Sequence, residues 1–185
     1  MSDPADTRSI VQPDLAISVR RASPSDAPAL ATLVNRAYAV ECFFVDGDRT
    51  NAAEVAELIE RGTFIVLEHK GGLAAAVYVE HHGAKPGYIG MLSVDPDTQK
   101  GGLGTRLVRI AEALCEAGGC TQVNLQIINL REELARWYRS LGYREVGTAP
   151  YEHRPVKQPC HFVLMSKTLS PVTQTGSSLG AAVAA

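Results

Sequence analysis

The spacing of apolar residues changes repeatedly along the chain, and each change marks an element. After a polar opening, residues 1–14, that predicts a flexible N-terminus, Leu15 to Arg21 reads as a first strand. Leu30, Leu33, Val34, Ala37 and Tyr38 then recur at helical spacing. Their helix starts at Ser23-Pro24-Ser25-Asp26, with a capping Ser, Pro at the first helical position and an acid three residues after the cap. Asp46-Gly47-Asp48 interrupts the pattern, and Asn51 with Glu54 resembles a second capping box, opening a short helix through Val55, Leu58 and Ile59. Thr63–Leu67 and Leu73–Glu80 read as strands joined by a hairpin over Glu68-His69-Lys70-Gly71-Gly72. Tyr88 to Val94 is mostly apolar at odd and even positions alike, as in a strand covered on both faces.

Leu103, Leu107, Ile110, Ala111 and Leu114 give a helical face that Gly118-Gly119 stops, and Val123, Leu125 and Ile127 start another strand. Leu130, Leu134, Trp137, Tyr138 and Leu141 form a last helical stripe closed by Gly142, and Tyr143–Val146 and Cys160–Lys167 are the final strands. The expected order is β-α-α-β-β-β-α-β-α-β-β. It describes one α/β domain (an α+β mixed sheet) over residues 15–169, a central, mostly antiparallel sheet with one right-handed βαβ crossover, flanked by helices. Residues 170–185 are mostly Ser, Thr, Gly and Ala without a periodic face, which predicts a disordered tail.

Composition narrows the classes of function. The chain has 185 residues, 45% of them hydrophobic, enough for a sizeable core in one domain. A net charge of −2 without a long basic run gives no footprint for nucleic acid. No stretch approaches the roughly 20 apolar residues of a membrane span, and residues 1–14 lack the apolar core of a signal peptide, so no membrane partner and a cytoplasmic location are expected. The cysteines Cys42, Cys115, Cys120 and Cys160 are scattered without a His or a second pair at ligand spacing, which reads as buried reduced thiols and no metal site. His81 and His82 are adjacent on an extended segment and face opposite ways, so they do not chelate one ion.

The chemistry starts where the Tyr88–Val94 strand meets the following helix, at Val94-Asp95-Pro96-Asp97-Thr98-Gln99-Lys100-Gly101-Gly102-Leu103-Gly104-Thr105. Gly101, Gly102 and Gly104 lack the Cβ that would keep a ligand off the backbone, and the N–H groups at a helix start attract an anion, so this is a phosphate site. No Lys-Ser or Lys-Thr follows, which excludes a P-loop, and Leu107 stands where a dinucleotide fingerprint needs its third glycine. Gln99-Lys100-Gly101-Gly102-Leu103-Gly104 has the form Q-x-x-G-x-G and resembles the acyl-CoA pyrophosphate loop of the GCN5-related N-acetyltransferase (GNAT) family. Leu134-Ala135-Arg136-Trp137-Tyr138-Arg139-Ser140-Leu141-Gly142-Tyr143 is similar to that family's second signature, A-x-x-[FY]-Y-x-x-x-G-[FY], with Tyr138 on its tyrosine, and the order of elements is also the family's.

The resemblance implies an acetyl-CoA-dependent N-acetyltransferase without a metal, in which Tyr138 is catalytic, its hydroxyl beside the coenzyme A sulfur. It implies a coenzyme A site made of Leu92, Ser93, Val94, Gln99, Lys100, Gly101, Gly102, Leu103, Gly104 and Thr105. Asn129, nine residues before Tyr138 where the family commonly has an Asn about seven before, is a further cofactor contact or a helix cap. The amine must be neutral to attack, the thioester oxygen needs N–H donors, and the leaving sulfur benefits from a proton.

Relatives often carry a Glu on the strand before the glycine loop, and Tyr88–Val94 has no carboxylate. Glu41, Glu80, His81 and His82 are the candidate bases, with a water chain as the alternative. Glu41, Phe43, Phe44, Glu80 and His81 are candidate acceptor residues. Acid beside aromatic suits a cationic amine, while Arg49 or Arg154 would take a carboxylate, together an amino-acid-like acceptor. The expected partner is a small-molecule or peptide amine, and the chain a monomer or homodimer. The competing reading is a non-catalytic acyl-CoA sensor.

Overall fold

The computed structural model describes residues 17–169; the expected flexible N-terminus, the start of the first strand and the tail lie outside the described residues. The strands are β1 Ser18–Arg21, β2 Thr63–His69, β3 Gly72–Glu80, β4 Gly87–Val94, β5 Gln122–Ile128, β6 Arg144–Pro150 and β7 His161–Thr168, and the α-helices α1 Ala27–Tyr38, α2 Ala52–Arg61, α3 Leu103–Ala117 and α4 Glu132–Ser140. This is the order the apolar spacing predicts. The seven strands form one sheet in the order β1-β2-β3-β4-β5-β7-β6, antiparallel except for the β4–β5 pair. Strand β6 runs four residues past the predicted Val146, because its alternation is masked where the strand pairs at the sheet edge with mostly exposed residues.

Alternation in the strands divides the core into two layers. Ile65 and Leu67 pack with Leu103, Leu107 and Ala111 of α3 and Ala135 of α4, whereas Phe64 and Val66 pack with Leu30 and Leu33 of α1 and Val55 of α2. Helices α1 and α2 therefore cover one face of the sheet and α3 and α4 the other. A third cluster, Phe44, Val45, Ile128, Tyr151 and Phe162, closes the end of β5 and β7.

Local chemistry fixes the helix ends. Asp26 accepts from Ser23 N–H at 2.7 Å and from both Arg20 Nη atoms at 2.8 Å, which ties the start of α1 to β1. Asn51 Oδ1 accepts from Ala53 and Glu54 N–H at the head of α2. At the end of α4, Tyr143 N–H donates to Tyr138 O at 3.1 Å and Gly142 N–H to Arg139 O at 3.0 Å, the paired bonds of a Schellman stop. The stop brings the Tyr138 and Tyr143 rings within 5.5 Å of each other, edge to face, and so holds Tyr138 in place.

Candidate active site

Strands β4 and β5 pair only at Gly87↔Val123 and Tyr88↔Asn124 and then part, so their carboxyl ends open a gap in the middle of the sheet. On its other side β4 also departs from a regular ladder. The register passes from Ala76↔Ser93 to Tyr78↔Gly90, leaving Met91 and Leu92 opposite the single residue Val77, a bulge in which Met91 has φ of 48°. A left-handed methionine costs about 1–2 kcal/mol, strain of the kind that collects at functional sites. Nothing in the sequence signals it, because methionine carries no preference for that conformation.

The gap is the floor of a cleft of about 440 Å3 that reaches both faces of the sheet. Val94, Leu134, Trp137 and Tyr138 line it on the α3–α4 side, and Tyr38, Glu41, Arg49 and Tyr88 on the α1–α2 side. The expected phosphate end is the start of α3, where Gly102 has φ of 69° and the first intrahelical bond is from Arg106 N–H to Gly102 O. The N–H groups of Leu103, Gly104 and Thr105 precede that bond and have no intrahelical acceptor. Arg36 braces the preceding turn by gripping Asp95 at 2.7 Å and Asp97 at 3.0 Å, and Asp95 N–H bonds to Ala74 O at 2.8 Å. The head of α3 thus presents free N–H groups to the cleft.

The residues expected to hold coenzyme A divide by position. Leu92, Val94, Gly102, Gly104, Thr105 and Tyr138 line the cleft, while Leu103 is buried in the core and Ser93 is buried with its Oγ donating to Met91 O at 3.1 Å. Gly104 does not have positive φ, and a Cβ there would make only ordinary contact with the Trp137 indole, at 3.5 Å. The backbone of Gln99, Lys100 and Gly101 forms the 3-10 turn before α3, and the side chains of Gln99 and Lys100 lie outside the described atoms. Asn129 is not the cap of α4: its Oδ1 accepts from His161 N–H at 2.8 Å and its N–H donates to His161 O at 3.0 Å, which pins β5 to β7.

Of the acceptor residues, only Glu41 lines the cleft. Phe44 is fully buried in the third cluster and Phe43 is 58% exposed. Glu80 is taken up by Tyr78 Oη at 2.8 Å and His82 Nε2 at 3.1 Å, and the His81 ring lies against Gly118 at the far end of α3. Cys115 and Cys120 are buried as expected, but Cys42 is exposed, because the short turn Ala39–Glu41 points it away from the core. Among the described residues no group of three His, Cys, Asp or Glu side chains is disposed to hold a metal, and no helix is long and apolar enough to cross a membrane.

Burial sets the protonation of the cleft. The Tyr138 hydroxyl has no hydrogen-bond partner among the described residues, and burial, with Tyr38 and Tyr88 nearby, pushes its pKa far above the usual phenol value. Tyr38 is raised to about 12 for the same reason, against the pull of Arg49. Glu41 is 6% exposed; burial raises its pKa while Arg131, donating Nη1 at 3.1 Å, and Arg49 oppose the rise. Arg131 also grips Glu133 through Nε. Tyr38 and Tyr88 read in the sequence only as members of apolar stripes, and Arg131 is singled out by nothing there, since the fold alone brings them together.

Residues 60–145 match the family model described as an acetyltransferase (GNAT) domain. No curated protein matches the sequence. The ribosomal-protein-S18-alanine N-acetyltransferase of Escherichia coli shares the fold at a TM-score of 0.70 and 19% identity, over 86% of this chain and 97% of that one. An aminoglycoside 6'-N-acetyltransferase complexed with coenzyme A is similar at 0.67 and 20% identity, over 83% and 98%. The Salmonella typhimurium protein yncA, solved with its cofactor acetyl-CoA, gives 0.65 and 17%, over 84% and 95%. Over residues 60–145 the sequence matches the GNAT acetyltransferase domain model, and the fold of the chain is that of the GNAT acetyltransferases.

Proposed function

We propose that the protein transfers an acetyl group from acetyl-CoA to a primary amine by direct attack in a ternary complex. The observation that carries this reading is the cleft through the sheet, with N–H donors at the head of α3 on one side and the buried Glu41 carboxylate on the other. An anion-binding helix start and an acceptor-side base then share one continuous space. The residues present suit acetyl-CoA: the open space over Gly102 takes the pyrophosphate, and the parted strands take the pantetheine between them.

When bound, the cofactor supplies an acyl carbon bonded to a good leaving sulfur. The chain's own residues do the rest. The bulge at Met91 frees backbone N–H groups of β4 from the β3 ladder, and these polarise the acyl oxygen. Glu41 takes the proton the amine loses as its nitrogen forms the new bond, and a raised pKa makes it the stronger acceptor.

Tyr138 acts by hydrogen bonding to the sulfur rather than by giving up its proton. Transfer from a buried phenol well above its usual value to a thiolate of pKa near 8.5 is uphill, whereas a hydrogen bond to the developing charge is favourable. The thiolate takes its proton from the one the amine released, so amine and thioester give amide and thiol. Thiol release from acetyl-CoA across a panel of amines tests the reading. Amine-dependent release supports it, and CoA binding without release for any amine favours the acyl-CoA sensor.

A further inference from the structure

Arg49 and Arg131 line the acceptor side of the cleft, and Arg154 stands outside its lining. Arg131 bridges Glu41 and Glu133, and Arg154 places Nη2 on both oxygens of Glu54 at 2.7 and 2.8 Å. Both are paired with carboxylates of the protein. Arg49 is not: it lines the cleft, its guanidinium carbon sits 5.4 Å from the centre of the Tyr38 ring, and among the described residues it makes no ion pair. Its Nε is buried without a hydrogen-bond partner.

A buried, unanswered N–H donor on a permanently charged group is costly, and native structures rarely keep one without a use. Stacking on Tyr38 holds the plane of the guanidinium and leaves its Nε edge unspent, the edge that a carboxylate takes with two parallel bonds. On the same side of the cleft Glu41 spends Oε1 on Arg131, while Oε2 has no partner among the described residues. The acceptor end therefore presents one unanswered cation and one half-used carboxylate, with Tyr38 and Tyr88 beside them.

We infer that the acceptor is an amine that also carries a carboxylate, a free amino acid, with Arg49 holding the carboxylate by its Nε edge and Glu41 receiving the amine. The inference rests on the acetyltransferase reading above and names its substrate class. A polycationic amine is opposed by Arg49, which makes no ion pair with a carboxylate among the described residues. The aromatic walls favour an amino acid with an apolar side chain.

The test uses matched pairs: phenylalanine against phenethylamine, leucine against 3-methylbutylamine, and γ-aminobutyrate against propylamine. Each is assayed by thiol release with the wild type, Arg49→Gln and Arg49→Lys, with a CoA titration and a thermal melt of each variant. The wild type is expected to favour at least one amino acid over its decarboxylated partner by about 100-fold in kcat/KM, carried by KM, as loss of a bidentate charged pair implies. Arg49→Gln removes that preference, and Arg49→Lys, which keeps the charge but not the fork, restores part of it. Preference for the decarboxylated amine, or an Arg49→Gln loss equal for both members of a pair, overturns the inference and leaves the acetyltransferase reading standing. If no amine is acetylated although CoA binds, the acetyltransferase reading itself fails, and the inference with it.

Discussion

Replacing Gly102 by Ala separates the two things a glycine can do at the head of α3. Its φ of 69° is left-handed, and a Cβ built there has nothing within 4 Å. The substitution therefore costs backbone strain and no collision, roughly 1–2 kcal/mol, partly offset by about 0.4–1 kcal/mol from a stiffer unfolded chain. The melting temperature should fall by no more than about 2–4 °C. The cost in ligand affinity is a different quantity. The methyl group enters the open space beside the free N–H groups of α3, where a pyrophosphate oxygen must come within hydrogen-bond distance. Losing one charge-assisted bond, about 1.5–3 kcal/mol, weakens CoA binding by about 10- to 100-fold.

Gly71 supplies the control. It has φ of 80°, nothing within 4 Å of a Cβ, and a place in the β2–β3 turn outside the cleft. Gly71→Ala should lose the same stability and no CoA affinity. Isothermal titration of CoA into both variants and a thermal melt of each decide the matter. Wild-type CoA affinity in Gly102→Ala, alongside the expected loss of stability, would refute the anion cradle and leave Gly102 a turn residue only.

Tyr138→Phe keeps the ring contacts to Trp137 and Tyr143 and orphans no partner, so stability should move by less than about 0.5 kcal/mol, while kcat falls by about 10- to 100-fold in thiol-release assays from pH 6 to 9. Glu41→Gln removes the proton acceptor, so kcat/KM should fall by about 100-fold or more; because burial raises the Glu41 pKa, the wild type should gain activity as pH rises through that value, and the variant should lose this limb of the profile. Asp26→Asn removes the charged pair with Arg20 while keeping one oxygen able to accept from Ser23 N–H, costing about 1–2 kcal/mol by urea unfolding at pH 7. Arg20 holds the Asp26 carboxyl well below its usual range, so its contribution is fully present above the unfolded pKa of about 3.9 and shrinks as pH falls below that value, and the gap between wild type and variant should narrow with it.

The fold was legible in the sequence because its elements announce themselves by period and by ends. Leu30 to Tyr38, Leu103 to Leu114 and the two-faced Tyr88–Val94 run leave little choice of element, and the Ser23 and Asn51 caps and the Gly142 stop set their limits. The glycine run marked the head of α3 and one end of the cleft for the same local reason. The acceptor end was less legible, since it is assembled from residues far apart in the chain. Aromatic residues beside acids made Phe44 look like a wall of the site, yet the turn after α1 buries it against Ile128 and Phe162, while Tyr38, which reads as part of a helical stripe, faces the cleft. Arg49 and Arg154 carry the same charge in the sequence, and only the position of Glu54 on α2 shows that one is spent and the other is not.

The most direct measurement is the stoichiometry of a single mixture of protein, acetyl-CoA and an accepted amine, followed by thiol titration and by mass spectrometry of both amine and protein. Direct attack within one cleft predicts equal amounts of free CoA thiol and N-acetylated amine, with no acetyl group on the protein at any time and no thiol release in excess of product. Thiol release that does not depend on the amine, or an acetylated protein whose acetyl group later passes to the amine, would contradict transfer within a ternary complex.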